Sequence, residues 1–251
     1  MKVSIITATY NSSATIEHCI QSVIGQDYPE IEYIIVDGGS TDETISVIKD
    51  WQKRDSRIQW VSEKDKGIYD ALNKGVTMAT GDVIGFVHSD DFLADPSTIS
   101  KLMLKFKTGD IDGVYGNLQY VDQTNPDKVI RAWKSQPFRS NLLQHGWMPA
   151  HPTLFLKKEV YEKHGEFNLN FKIAADYDFM LRVLQDHSLS FSYLPQVITK
   201  MRMGGASNGS LKNIMNKSRE DYKVMKTNGL TFPMWGLLAK NLSKLPQFFF
   251  K

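Results

Sequence analysis

Cysteine is nearly absent: among 251 residues there is one, Cys19. A single thiol excludes an intrachain disulfide and a zinc site built on paired thiolates. That usage suits a reducing compartment. No apolar run approaches the roughly 18 uninterrupted residues that a membrane-spanning helix needs. The N-terminus also lacks the long apolar core and small-residue cleavage site of a signal peptide, since its apolar run turns polar at Thr7. A soluble, cytoplasmic protein is the expectation. Charge of one sign is lacking too. The formal net charge is +2 and no concentrated basic stripe occurs, which argues against a nucleic-acid partner.

What is present is an ordinary globular mixture, 41% hydrophobic and 23% charged, enough for a core and a solvated surface. The first ninety residues alternate strand and helix patterns. Val3–Ala8, Ile31–Val36, Ile58–Val61 and Val83–Val87 read as strands. Between them, helical apolar stripes run through Ile16, Ile20 and Val23, through Ile45, Ile48 and Trp51, and through Ile68, Leu72, Val76 and Ala79. This spacing predicts an α/β fold with a mostly parallel sheet covered on both faces. The second half predicts a mixed region. Strands are expected at Val114–Val121, Val129–Trp133, Phe191–Leu194 and Val197–Met201, and helices at Val160–His164 and Tyr177–Gln185. The pattern is helical again from Leu211. The expected division is a catalytic domain over residues 1–210 and a basic, apolar helical tail over 211–251.

In parallel sheets ligands bind beyond the carboxyl ends of the strands. Four strand ends here carry hydroxyl or acidic groups: Thr7 to Tyr10, Asp37, Glu63 with Asp65, and Asp90 with Asp91. Two adjacent carboxylates after a buried strand raise one another's pKa unless something positive neutralises them. A hard divalent cation would do so and could bridge two phosphates; a turn or helix cap is the plain alternative. Asp37 before two glycines could accept a nucleobase N–H, and Asp65 a ribose hydroxyl; each is also ordinary turn or loop chemistry. Asp176 opens a helix, where the dipole favours a carboxylate, and it is also a candidate general base. His151 and Arg202, with the loop through Ser207, are candidate phosphate or acceptor contacts.

Four segments carry a resemblance: Ser4-Ile-Ile-Thr-Ala-Thr-Tyr-Asn11, Val36-Asp-Gly-Gly-Ser-Thr-Asp42, Asp65-Lys-Gly-Ile-Tyr-Asp-Ala-Leu-Asn-Lys-Gly75 and Ser89-Asp-Asp91. In this order and spacing they resemble the family 2 glycosyltransferases, inverting enzymes of the GT-A fold. The third segment is similar to the branch that builds bacterial capsular and O-antigen-like polysaccharides. The resemblance implies a nucleotide-sugar donor, a UDP-sugar, a saccharide acceptor, and Mn2+ or Mg2+ as cofactor. It places Thr7, Tyr10, Asp37, Asp65 and Asp90 in the nucleotide-sugar site, Asp90 with Asp91 at the metal, and Asp176 as the base. The chain departs from the family pattern twice: His88 stands for the first Asp of the Asp-x-Asp motif, and Ala175 for the Glu before the base. Those departures keep a second reading open, a catalytically inactive sugar-nucleotide-binding scaffold subunit. A sugar-1-phosphate nucleotidyltransferase would need a glycine-rich loop with Arg after the first strand, and none follows Ala8.

The last stretch interleaves Trp235, Leu238 and Leu242 with Lys240 and Lys244. It suits either an interfacial membrane helix, sensible beside a lipid-linked acceptor, or a helix packed on the domain. Nothing in the sequence sets an oligomeric state.

Overall fold

The computed structural model describes residues 1–204, 211–244 and 247. The first half alternates as the periodicity predicts: β1 (Val3–Thr9), α1 (Ile16–Ile24), β2 (Ile31–Asp37), α2 (Thr44–Arg54), β3 (Ile58–Ser62), α3 (Ile68–Met78) and β4 (Val83–Phe86). Then follow β5 (Asp91–Leu93), α4 (Thr98–Thr108), β6 (Gly113–Val121), β7 (Val129–Trp133), β8 (Phe155–Lys157), α5 (Lys158–His164), α6 (Ala175–Leu184), β9 (Phe191–Arg202), α7 (Leu211–Thr227) and α8 (Pro233–Leu242).

Among the described residues these strands form one sheet in the order β3-β2-β1-β4-β8-β6-β9-β5, with β7 on β6. The segment β3-β2-β1-β4 is parallel. Beyond it β8 inserts antiparallel to both β4 and β6, which makes the second half mixed. Side chains alternate across the strands. Ile5 and Ile35 pack with α1 and α4 residues on one face, while Ile6 and Ile34 pack with α3 and α6 residues on the other. Burial on both sides is why these strands read as continuous apolar runs. Helix α3 sits especially close: a Cβ on Gly75 would come within 2.3 Å of the Ile6 side chain.

Three local features differ from the pattern. The two strand pieces expected around Pro195 are one 12-residue strand, β9. Its pairing with β6 shifts register between Tyr115 and Asn117, where the proline is accommodated as at a bulge. The fourth strand ends at Phe86, and Asp91 starts a new strand paired with Met201. The helical content expected from Leu211 is present, and its packing is that of a core element. Val224 and Met225 are fully buried in the same cluster as Ile6 and Phe86. Asp221 and Lys240 form a buried pair between α7 and α8 at 2.8 Å.

Candidate active site

A cavity of about 580 Å³ opens beyond the carboxyl end of β4, walled by β6, β7 and β9, the start of α6, and helices α7 and α8. Of the residues expected from sequence it gathers Asp90, Asp91, His151, Asp176 and Arg202. Thr7, Tyr10, Asp37 and Asp65 are not part of its lining, and Ser207 lies outside the described residues.

Thr7 is fully buried, beneath the site. Its hydroxyl donates to the Val87 carbonyl at 2.6 Å and so receives the Tyr33 hydroxyl at 3.0 Å, tying β1 and β2 to the end of β4. It presents nothing to a ligand directly, because its one proton is committed inside the core. Cys19 touches the same node, and burial pushes its thiol up to about 12, so it stays protonated and inert.

Asp37, Asp65 and Tyr10 meet along the neighbouring edge. Asp37 Oδ2 accepts from the Gly39 and Ser40 amides at 3.0 and 2.9 Å and from the Ser62 hydroxyl at 2.7 Å. Its Oδ1 accepts from the Ser40 hydroxyl alone and keeps accepting capacity. Asp65 lies against Gly38, where a Cβ would come within 2.5 Å of Asp65 Oδ2; glycine there makes room for the carboxylate. Asn11, in the left-handed region at φ 47°, accepts the Thr41 amide at 2.9 Å, and Tyr10 beside it is 61% exposed. Along this edge Tyr10 is exposed and Asp65 half-buried, while Asp37 is fully buried behind its hydrogen bonds.

At the cavity proper, the turn after β4 is closed by Asp91 N–H donating to the His88 carbonyl at 2.9 Å. Asp91 is buried with both carboxylate oxygens lacking a hydrogen-bond partner, while Asp90 is half-buried beside it. Burial, then the charge of Asp90, raises Asp91 well above the ordinary carboxylate range. An unpartnered buried carboxylate beside a second, half-buried one suits a hard divalent cation. Among the described residues no three His, Cys, Asp or Glu side chains gather into a ready cage. A cation held here would take its other ligands from substrate phosphate and water. Arg202 clamps the turn: it donates to the Asp90 carbonyl at 2.7 Å and to His18 Nδ1, and lies 5.0 Å over the Phe92 ring. Its guanidinium is a brace for the Asp90 loop. His151, under the cavity floor, packs among Phe86, His88 and Phe167, and burial followed by the nearness of His88 pushes it down to about 3. His88 is lowered by the same burial. Both rings are therefore neutral near neutrality.

Across the cavity, Asp176 is half-buried at the first turn of α6. Its Oδ1 lies 3.2 Å from the Tyr69 hydroxyl, which also reaches the Ile173 carbonyl at 2.7 Å. Burial and the Asp176 charge hold the Tyr69 phenol well above its usual range, so it remains a donor. Glu220 of α7 accepts the amides of Lys172, Ile173 and Ala174 at 3.2, 2.8 and 3.0 Å, capping the approach to α6. Asp178, two residues on, faces the other way and binds Arg182 and Asn228. Tyr69, Glu220 and His18 carry no sequence signal of their own as site residues. Tyr69 lies within the Asp65–Gly75 segment, but nothing in the pattern pairs it with a residue 107 positions away.

The mostly parallel sheet with its helices has the GT-A fold, as two solved glycosyltransferase structures show. The S. aureus TarS fragment 1-349 solved with UDP-GlcNAc superposes with a TM-score of 0.72 at 19% identity over 91% of this chain. The mannosyltransferase PcManGT from Pyrobaculum calidifontis, solved with GDP-Man and Mn2+, gives 0.67 at 20% identity over 98%. The chain spans 65% of the TarS fragment, 39% of a longer TarS chain and 72% of PcManGT. The chain belongs to glycosyl transferase family 2, whose model matches residues 4–165. A PGL/p-HBAD biosynthesis glycosyltransferase of Mycobacterium bovis is 28% identical over 215 residues, covering 82% of this chain and 78% of that one. An uncharacterised glycosyltransferase of Haemophilus influenzae is 28% identical over 242 residues, covering 92% and 73%.

Proposed function

We propose that this glycosyltransferase moves a sugar from a nucleoside-diphosphate sugar, a UDP-sugar, to an acceptor hydroxyl with inversion, in the building of a bacterial surface polysaccharide. The observation that carries the reading is the placement of Asp176 in the same cavity as the Asp90–Asp91 pair, on a different element. One face can then hold the leaving diphosphate while the other receives the acceptor's proton. The edge that carries Tyr10, Asp65 and the buried Asp37 takes the nucleoside, with Asp37 Oδ1 as the acceptor toward a base N–H. Asp176 takes the proton as the acceptor oxygen bonds to the anomeric carbon and the bond to the diphosphate breaks. A single displacement inverts that carbon. Tyr69, whose one hydroxyl proton is shared between the Ile173 carbonyl at 2.7 Å and Asp176 Oδ1 at 3.2 Å, steadies the carboxylate. Mn2+ or Mg2+ at Asp90 and Asp91 would supply charge stabilisation for the departing diphosphate. The structures of PcManGT with Mn2+ and of TarS with UDP-GlcNAc support this reading by fold analogy.

The experiment is a thermal-shift panel of UDP-, GDP-, dTDP- and CMP-sugars with and without Mn2+, on wild type and Asp90→Ala. A ligand at a hundred times its Kd stabilises by about 2.7 kcal/mol. Metal-dependent stabilisation by UDP-sugars alone, lost in Asp90→Ala, is the expected outcome. Stabilisation by another nucleotide class corrects the donor. Stabilisation without any transfer to acceptor sugars would favour the scaffold subunit.

A further inference from the structure

The cavity has a cationic end that the chemistry above does not use. Lys217 of α7, Lys240 of α8 and Lys244 just beyond it line this wall, with Arg131 of β7. One carboxylate from these elements, Asp221, faces them. Asp221 is already joined to Lys240, and both side chains are buried; the Lys240 ammonium also lies 3.3 Å above the Tyr177 ring. Lys217 has no hydrogen-bond or ion-pair partner among the described residues, and the Lys244 ammonium donates to a neutral group, Asn241 Oδ1, at 3.1 Å. Burial, then the charges of Lys217, Lys240 and Arg131, push Lys244 down to about 8. Like charges held together in a partly desolvated wall oppose folding. A ligand anion offsets that repulsion.

The position of this wall says which ligand. The donor's diphosphate belongs with Asp90 and Asp91, at the end of the sheet. Lys240 lies on the side of Asp176, over the ring of Tyr177 and within reach of the Asp176 charge, and Lys217 and Lys244 lie close enough to feel the Lys240 charge.

We propose that Lys217 and Lys244 form an acceptor subsite for an anionic group, a phosphoryl or a carboxylate borne by the acceptor near the hydroxyl that loses its proton. The subsite rests on the reading of Asp176 as base. Lysines suit it, because an ammonium meets either anion as a point charge without demanding one geometry.

The test uses the full chain saturated with the nucleoside diphosphate that binds it, so that the donor's phosphate site is filled. Inorganic pyrophosphate, glucuronate and glucose are then titrated by calorimetry. At least one anion is expected to bind on the order of ten- to a hundredfold more tightly than glucose, the range of a charge-assisted contact. Pyrophosphate alone identifies a phosphoryl acceptor, and glucuronate alone an acidic sugar. Lys217→Met, and Lys244→Gln as a second variant, should abolish that preference while raising the thermal midpoint, because repulsion is relieved. A purely structural lysine would not move the two readouts in opposite directions. Binding of none of the three, of all three alike, or an anion preference that survives both variants overturns the subsite and leaves the glycosyltransferase reading standing. Failure of every nucleotide to bind overturns both.

Discussion

Glu220 Oε2 accepts the backbone amide of Ala174 at 3.0 Å, so a carboxylate on α7 fixes the residues that lead directly into Asp176. Glu220→Ala leaves three amides, one exposed and two part-buried, without this acceptor, a loss of about 1 kcal/mol. The expected result is a kcat reduced by roughly tenfold or more, as misplacement of a reacting group does, with donor KM little changed. Glu220→Gln, whose amide oxygen still accepts, should recover part of the rate. Steady-state kinetics of both variants check this; equal losses in kcat and in nucleotide affinity would argue for general destabilisation.

Asp176→Asn keeps the size and an acceptor for Tyr69 but cannot take a proton at neutral pH. Transfer is expected to fall by about 10²–10⁴, the usual contribution of a general base. Binding of the nucleotide sugar, measured by the same thermal shift, should remain. Retained transfer in this variant would move the base elsewhere in the cavity.

His151 yields a pH dependence with a definite sign. Its folded value of about 3 lies below the 6.5 of an unfolded chain, so between these values the unfolded state binds more protons. Stability is therefore complete above about 6.5 and is lost as pH falls toward 3. Between pH 7 and pH 5 this one group removes about 2 kcal/mol. Phenylalanine suits the aromatic surroundings, and His151→Phe should flatten this part of the curve. Urea midpoints at pH 5 and pH 7 decide it: an unchanged difference between wild type and variant removes His151 as the cause.

Helix α8 turns Met234, Trp235, Leu238 and Leu242 outward, each more than half exposed, while Gly236 and Lys240 face the body. No described helix is long and apolar enough to cross a membrane. If the outward face lies in a lipid interface, as its aromatic and aliphatic composition suits, Trp235→Glu with Leu238→Glu should abolish flotation with anionic liposomes while leaving the melting midpoint nearly unchanged. Flotation of the double variant equal to wild type assigns that face to something other than lipid.

The parallel half was legible because buried strands such as Ile31–Asp37 are apolar but for Glu32 and stop at an acidic residue, which marks both strand and site edge. The Asp90–Asp91 turn and Asp176 could be read as candidates for the same reason: carboxylates just outside apolar elements. Their supports could not. Tyr69 reaches Asp176 across 107 residues and Arg202 reaches His18 across 184, distances at which no periodicity links two positions. Strands β5 and β8 have three residues each, too few for alternation to register. That Asp91 would be drawn into a strand, separating it from Asp90, follows from the pairing with Met201 and not from local pattern. Thr7 looked like a ligand contact from its place at a strand end, yet its neighbours in space turn its hydroxyl inward.

The cap on α6 also imposes an order in time. A ribosome delivers the Asp90 turn first, Asp176 later, then Met201 and Arg202 of β9, which pair with and brace that turn, and Glu220 some 46 residues after Ala174. At roughly 5–20 residues per second that interval is about a few seconds. A nascent chain thus completes the brace on the Asp90 turn, with Arg202, before it completes the cap on α6, with Glu220.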